Sequence, residues 1–370
     1  MREVNAPVIG VLGGGQLGRM LALAGLPLGV AFRFLDPSPD ATAGALGPLF
    51  TGPFDDDELV DRFATGATVV TYEWEGVPAS TARRAAKSAP VLPGDRPLEV
   101  SQDRVVEKTM LRSLGIGTAA FVAVDDRADL DRAVGDLGLP AVLKTRVGGY
   151  DGKGQALLRD KADVDPAWTR LGSEPLILEA FVPFTRELSV IGVRSATARF
   201  RCYPVVENRH DDGILRVSRA PAPGADENLQ QRAEACIRPL LDALDYVGVA
   251  CVELFDTGDG LLANEWAPRV HNSGHWTIEG AVTSQFENHV RAVLGWPLGD
   301  VAPVGVSAMV NCIGAMPDPR RVLEIDGAHL HDYGKPGRPG RKVGHVTVTA
   351  PNSSVLGERL TRVHAAVAGA

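Results

Sequence analysis

Short apolar runs alternate with helical spacing through the first hundred residues, and each run ends on glycine or on charged side chains. Val8–Leu12 leads into Gly13-Gly14-Gly15-Gln16-Leu17-Gly18, and a helical pattern starts at Arg19. Residues 32–35 lead into Asp36-Pro37, and residues 68–72 lead into Glu73-Trp74-Glu75. Strands alternating with helices, with polar residues at the strands' carboxyl ends, predict a parallel sheet that binds ligands along that edge. Pro93-Gly94-Asp95 is a turn signal that closes this unit.

The pattern changes near residue 101. Ser101-Gln102-Asp103-Arg104 opens a helix, residues 141–144 read as a strand, and Gly148-Gly149-Tyr150-Asp151-Gly152-Lys153-Gly154 follows as a glycine-rich loop. Residues 176–179 give a further strand. This is a small α+β module whose most polar loop can close over a ligand. A third region starts near Glu187, with a strand at 188–193, a helix at 228–244 and a hairpin at 250–266. The division expected is 1–100, 101–185 and 186–370, an α/β unit followed by two α+β units.

Length agrees, since 370 residues exceed what a single hydrophobic core serves. The net charge of -8 argues against a nucleic-acid surface, yet local basic clusters can still bind small anions. Cys202, Cys236, Cys251 and Cys312 form no Cys-x-x-Cys pair, so neither a zinc site nor a redox motif is expected. The N-terminus is not a signal region, and no stretch approaches the roughly 20 apolar residues that span a bilayer. A cytoplasmic protein without a membrane partner is expected.

Two glycine loops and one hairpin carry the chemistry. Gly13-x-Gly15-x-x-Gly18 matches the dinucleotide fingerprint, but its physics is general, because glycines and a helix N-terminus let backbone N–H groups approach any phosphate. Asp36 stands near the acidic position of that fingerprint and reads better as a turn residue before Pro37. The second loop follows a strand carrying Lys144, a compact charge suited to nucleotide phosphates, and a mobile glycine loop can cover them and exclude water. In the hairpin, Asp256-Thr257-Gly258-Asp259-Gly260 is the turn, which sets Glu253 opposite Glu265 on adjacent strands. Side chains of such pairs lie about 5 Å apart, so the two carboxylates repel unless a cation sits between them. Mg²⁺ suits them, because it takes oxygen ligands and shares its coordination with nucleotide phosphates. Beyond lies Pro268-Arg269-Val270-His271-Asn272-Ser273-Gly274-His275-Trp276. Arg269 there can stabilise an anion. His271 reads equally as structural or catalytic, His275 and Trp276 read as packing, and His329, His331 and His345 carry no usable signal.

These residues resemble the N5-carboxyaminoimidazole ribonucleotide synthase family of the ATP-grasp superfamily. The likeness rests on Gly13 to Met20, Tyr72-Glu73-Trp74-Glu75, Gln102-Asp103-Arg104, the stretch from Gly148 to Gln155, and His210-Asp211-Asp212-Gly213-Ile214-Leu215-Arg216. It continues through Asn264 to Trp276 and Pro339-Gly340-Arg341-Lys342-Val343-Gly344-His345. The resemblance implies an ATP-grasp fold: a Rossmann-like N-terminal domain, a central lid and a C-terminal catalytic domain. Arg104 and Lys144 then match phosphate contacts, and Gly149, Tyr150, Asp151, Gly152, Lys153, Gly154 and Gln155 match a flap. Glu179, Ala180, Phe181 and Val182 match the adenine hinge, Glu187 the ribose contact, and His210, Asn264 and Glu265 further nucleotide contacts. Glu253 and Glu265 match the ligands of Mg²⁺, expected as two ions.

Aminoimidazole ribonucleotide is expected on Gly14, Gly15, Gln16 and Leu17, on Glu73 or Glu75, and on Tyr150, Asp151, Lys153, His271, Lys335 and Arg341. Arg269, Lys144, Lys335, Arg341 and Lys342 are expected to act in catalysis, with bicarbonate as co-substrate and a homodimer as the assembly. Trp266 takes a place often held by a smaller aliphatic residue, and Pro336-Gly337 makes the approach to Arg341 unusual. Two other readings compete. A formate-dependent glycinamide ribonucleotide transformylase shares the glycine loops and paired glutamates, and an NAD-dependent dehydrogenase explains the first loop alone.

Overall fold

The computed structural model describes residues 6–149 and 153–368. The first glycine loop follows the central strand of a four-stranded parallel sheet. In that sheet Val8–Leu12 lies between Ala31–Asp36 and Val69–Tyr72, with Leu49–Thr51 outside Ala31–Asp36. The helix after the loop begins at Gln16, earlier than the expected Arg19, because Gly15 already has the extended backbone of an N-cap.

Residues 121–180 form a second four-stranded sheet in the order Phe121–Val124, Leu176–Ala180, Ala141–Thr145, Gln155–Leu158. All of its neighbours are antiparallel. The expected helix from Ser101 is instead two, Arg96–Gln102 and Arg104–Ser113. Asp103 breaks them, its extended backbone letting the carboxylate cap the N–H groups of Val105 and Val106.

The third sheet has nine strands and is antiparallel. Its Leu261–Ala267 edge pairs with Gly248–Asp256, which pairs in turn with Arg186–Arg194. Val306–Ile313, Ala328–Asp332 and Lys342–Ala350 and the helix Ser353–Ala368 complete it beyond the elements read from the sequence.

The apolar cores decide which parts act as one body. Ile9, Val11, Leu17 and Phe34 of the first unit share a core with Val249, Trp276, Phe286 and Tyr333 of the third. A buried hydrogen bond of 2.9 Å between Thr71 Oγ1 and His289 Nε2 adds to that contact. The central sheet packs separately, around Leu130, Leu143, Leu158, Val164 and Leu178. Among the described residues, no helix is long and apolar enough to cross a membrane.

Candidate active site

Glu253 and Glu265 are register partners on adjacent antiparallel strands, as the hairpin pattern predicts. The Glu253 side chain is 16% exposed and that of Glu265 42%. Burial and the facing Glu265 raise the Glu253 carboxyl to about 7. Arg104, whose Nη1 is 2.9 Å from Glu265 Oε2, holds Glu265 below its usual range against the pull of burial. Among the described residues, no group of three or more His, Cys, Asp or Glu side chains is placed to hold a metal. Two carboxylates fit Mg²⁺ when phosphate oxygens complete the coordination, and the mutual repulsion raising Glu253 is what a divalent cation relieves.

That repulsion has a measurable sign. A carboxyl whose folded-state pKa is raised from 4.5 to about 7 keeps its proton longer when folded, so stability falls as pH rises through that window. Glu253→Gln is therefore expected to stabilise the ligand-free protein at about pH 8, by on the order of 1–3 kcal/mol, and to change little at about pH 4. Denaturant unfolding at both pH values checks this, and an equal effect at both rules out a carboxyl raised by burial and by Glu265.

Cations meet the site from the central sheet and from the helix Arg104–Ser113. Lys144 Nζ lies 3.0 Å from Glu179 Oε2, and Lys108 Nζ lies 3.2 Å from the same oxygen. Burial, with Lys108 and Arg104 nearby, lowers the Lys144 pKa despite Glu179. Arg104 Nη2 also donates to the carbonyl of Gly149, tying it to the start of the second glycine loop. Gly154 joins the strand through its carbonyl, which accepts from Thr145 N–H at 2.8 Å. Tyr150, Asp151 and Gly152 lie outside the described residues. Lys153 and Gln155 are exposed at the loop's far side.

The buried side chain of Glu179 serves the two lysines, so its expected part in an adenine hinge falls to its backbone. The N–H groups of Ala180 and Phe181 go to the carbonyls of Ala120 and Pro140, which narrows the hinge to the remaining backbone groups up to Val182. Glu187 Oε2 lies 2.9 Å from His210 Nδ1. Burial opposes charging of His210, but Glu187 and Glu253 outweigh it and raise the ring's pKa. His271 Nε2 lies 3.4 Å from Glu253 Oε1, and its Nδ1 lies 2.8 Å from Ser273 Oγ. Burial, Arg269 and Lys342 push this ring down to about 3, so it is neutral near pH 7.

Two carboxylates of the chain meet the first glycine loop. Asp36 Oδ2 accepts from Gly14 N–H at 2.7 Å, and Oδ1 accepts from Ser38 N–H at 2.8 Å, so Asp36 is a turn residue that also holds the loop. Glu73 accepts from Gly15 N–H, and from Gly18 N–H at 2.6 Å. The glycines are there to admit these carboxylates. A Cβ on Gly13, which has a φ of +102°, would lie 2.5 Å from Glu73 Cγ, and one on Gly15 would lie 2.6 Å from Glu73 Oε1.

Gly14 and Gly15 thus give their amides to Asp36 and Glu73. The amides of Gln16 and Leu17, in the first turn of the helix Gln16–Gly25, have no partner within the helix. The Leu17 side chain belongs to the apolar core, so only its backbone faces the loop. Lys335 Nζ donates to Gln16 Oε1. Arg341 and Arg338 stand near enough that, after burial, they help lower the Lys335 pKa while Glu73 raises it. Arg338 carried no signal in the sequence beyond its basic neighbours.

Glu75, the alternative to Glu73, grips Arg269 with both oxygens, one at 2.8 Å from Nη2. Arg269 thereby spans the first sheet's edge and the strand end after Glu265. His275 and Trp276 are fully buried, as the packing reading requires. His331 and His345, which carried no signal, stack with ring centroids 4.3 Å apart beside His275. Trp266 is buried against the edge of Tyr246, with ring centroids 6.1 Å apart.

Family models match the chain in three consecutive blocks. These are a ribonucleotide synthetase preATP-grasp domain at residues 7–102, an ATP-grasp domain at 109–286 and a phosphoribosylaminoimidazole carboxylase C-terminal domain at 307–359. The chain is 52% identical over 359 residues to an N5-carboxyaminoimidazole ribonucleotide synthase of Pseudomonas aeruginosa, covering 97% of this chain and 99% of that one. The chain belongs to the N5-carboxyaminoimidazole ribonucleotide synthase family.

The synthetase of Thermus thermophilus superposes with a TM-score of 0.93 at 56% identity, over 97% of this chain and 98% of that one. The synthase of Aspergillus clavatus, solved with ADP and 5-aminoimidazole ribonucleotide, superposes with a TM-score of 0.92 at 32% identity, over 99% of this chain and all of that one. The fold is thus an ATP-grasp fold behind a preATP-grasp parallel-sheet domain. Membership of this synthase family sets aside the dehydrogenase and the formate-dependent transformylase.

Proposed function

We propose that this chain uses ATP and bicarbonate to carboxylate 5-aminoimidazole ribonucleotide to its N5-carboxyamino form, a step of purine biosynthesis. The observation that carries the reading is the facing pair Glu253 and Glu265, met by Arg104 from one helix and approached by Lys144 from the central sheet. In the chemistry proposed, a bicarbonate oxygen attacks the γ-phosphorus of ATP, the bond to the β-phosphate oxygen breaks, and carboxyphosphate and ADP form. The exocyclic amine then attacks the carboxyl carbon, directly or after release of CO₂. The carbon–oxygen bond to phosphate breaks, and the amine gives up a proton.

Glu253 and Glu265 hold the magnesium that accompanies ATP, which when bound neutralises charge on the moving phosphoryl group. Lys144 and Arg104 bind its oxygens, and positioning with electrostatics suffices without a protein nucleophile. Arg269 faces the carboxyphosphate, and the flap at 149–155 excludes water that would hydrolyse it. Gln16, Leu17, Lys335 and Arg341 hold the ribonucleotide phosphate, while Glu73 shapes that loop from behind and Lys342 adds positive charge near Glu253. Glu187 and His210 meet the nucleotide sugar. Domains at 1–100, 101–185 and 186–370, a homodimer and a cytoplasmic location complete the proposal.

The experiment is ADP release by the full chain with each small molecule withheld in turn. Full turnover is expected only with both aminoimidazole ribonucleotide and bicarbonate present. Equal or faster turnover with formate and glycinamide ribonucleotide would overturn the reading.

A further inference from the structure

The helix Arg104–Ser113 carries Arg104, Glu107 and Lys108 at spacings that share one face. All three meet the strand Leu261–Ala267, at consecutive residues. Lys108 Nζ donates to the Asn264 carbonyl at 2.8 Å, Arg104 Nη1 donates to Glu265 Oε2 at 2.9 Å, and Trp266 N–H donates to Glu107 Oε1 at 2.6 Å. The strand is irregular at this point: Glu253 pairs with Glu265 but Leu254 pairs with Ala263, so Asn264 is an extra, unpaired residue. A bulge of this kind bends its strand and re-aims the neighbouring side chains. It also frees backbone groups that need partners when buried.

Glu107 is 2% exposed and Lys108 is fully buried, positions where an ionisable group is costly unless it is bonded. Burial pushes the Glu107 carboxyl up to about 8, against the opposing pull of Lys108 and Arg104. Lys108 is also 3.2 Å from Glu179 Oε2, the oxygen that Lys144 approaches at 3.0 Å. One helix face therefore reaches both halves of the nucleotide site, through the strand of Glu265 and through the carboxylate beside Lys144.

We propose that Glu107 and Lys108 are positioning residues for the metal–nucleotide site. They grip the backbone on either side of Glu265 and hold the bulge that turns its carboxylate toward Glu253, and Lys108 sets Lys144 in the same frame through Glu179. The inference rests on the reading of Glu253 and Glu265 given above.

Calorimetric titration of the full chain with ADP, with and without Mg²⁺, tests it. Partners that orient metal ligands are worth about 10- to 100-fold in affinity, so Glu107→Leu and Lys108→Met should each lose that much of the Mg²⁺-dependent gain in ADP binding. Glu107→Gln keeps an acceptor for the Trp266 amide and should stay within about threefold of the unaltered protein, a rescue that a purely space-filling role does not require. If Lys108→Met does not fold, Lys108→Met with Glu179→Gln removes both buried charges and carries the same expected loss. A full Mg²⁺-dependent gain in Glu107→Leu and in the lysine variant overturns the proposal. Absence of any such gain in the unaltered protein is a different result, and it overturns the metal reading together with the proposal.

Discussion

Glu265→Ala is expected to fold normally and to release ADP at least about 10³-fold more slowly than the unaltered protein. Folding should survive because the side chain is 42% exposed and lies outside the apolar cores. The strand keeps its grip through the backbone at Asn264 and Trp266, which the substitution leaves intact. Turnover should collapse because the site loses one of its two facing carboxylates, and Arg104 loses the group that orients it. Steady-state ADP release and thermal unfolding of the same preparation check this. Turnover near that of the unaltered protein would sink the metal assignment.

Arg269→Met comes second, with a fall in turnover of about 10²- to 10³-fold, the usual cost of a missing charge-stabilising group. This substitution also harms stability, because Glu75 grips Arg269 in a partly buried pair and is left without its cation. The two effects separate in Arg269→Met with Glu75→Gln, which removes both charges. Stability should return toward that of the unaltered protein while turnover stays low. Recovery of turnover with stability would make Arg269 a structural residue, and measurement of both quantities in the two variants decides.

The paired carboxylates were legible because a hairpin is a local object. Its turn is written in Asp256 to Gly260, and counting outward from it sets the pairing of Glu253 with Glu265. Lys144, too, announces itself by ending a strand before a glycine loop. Glu107 and Lys108 left no such trace, since an adjacent acid and base on a helix ordinarily face water, and only the strand packed against them makes them internal. Glu73 was visible, but its partners within the chain, the N–H groups of Gly15 and Gly18, were not, because no side-chain pattern reports a backbone donor. The strand Val306–Ile313 pairs with a segment far away in sequence, Val310 with Val217, and such a pairing has no local signature.

The continuous core shared by the first and third sheets has a further consequence. Where the ribonucleotide end and the metal end stand on one slab, the distance between them is set at folding and does not wait for ligands. Only the central plate, with its separate filling of leucines and valines, stands apart from that slab. Productive alignment in this molecule then turns on how one plate meets that slab, a meeting in which Lys108 and Glu179 take part.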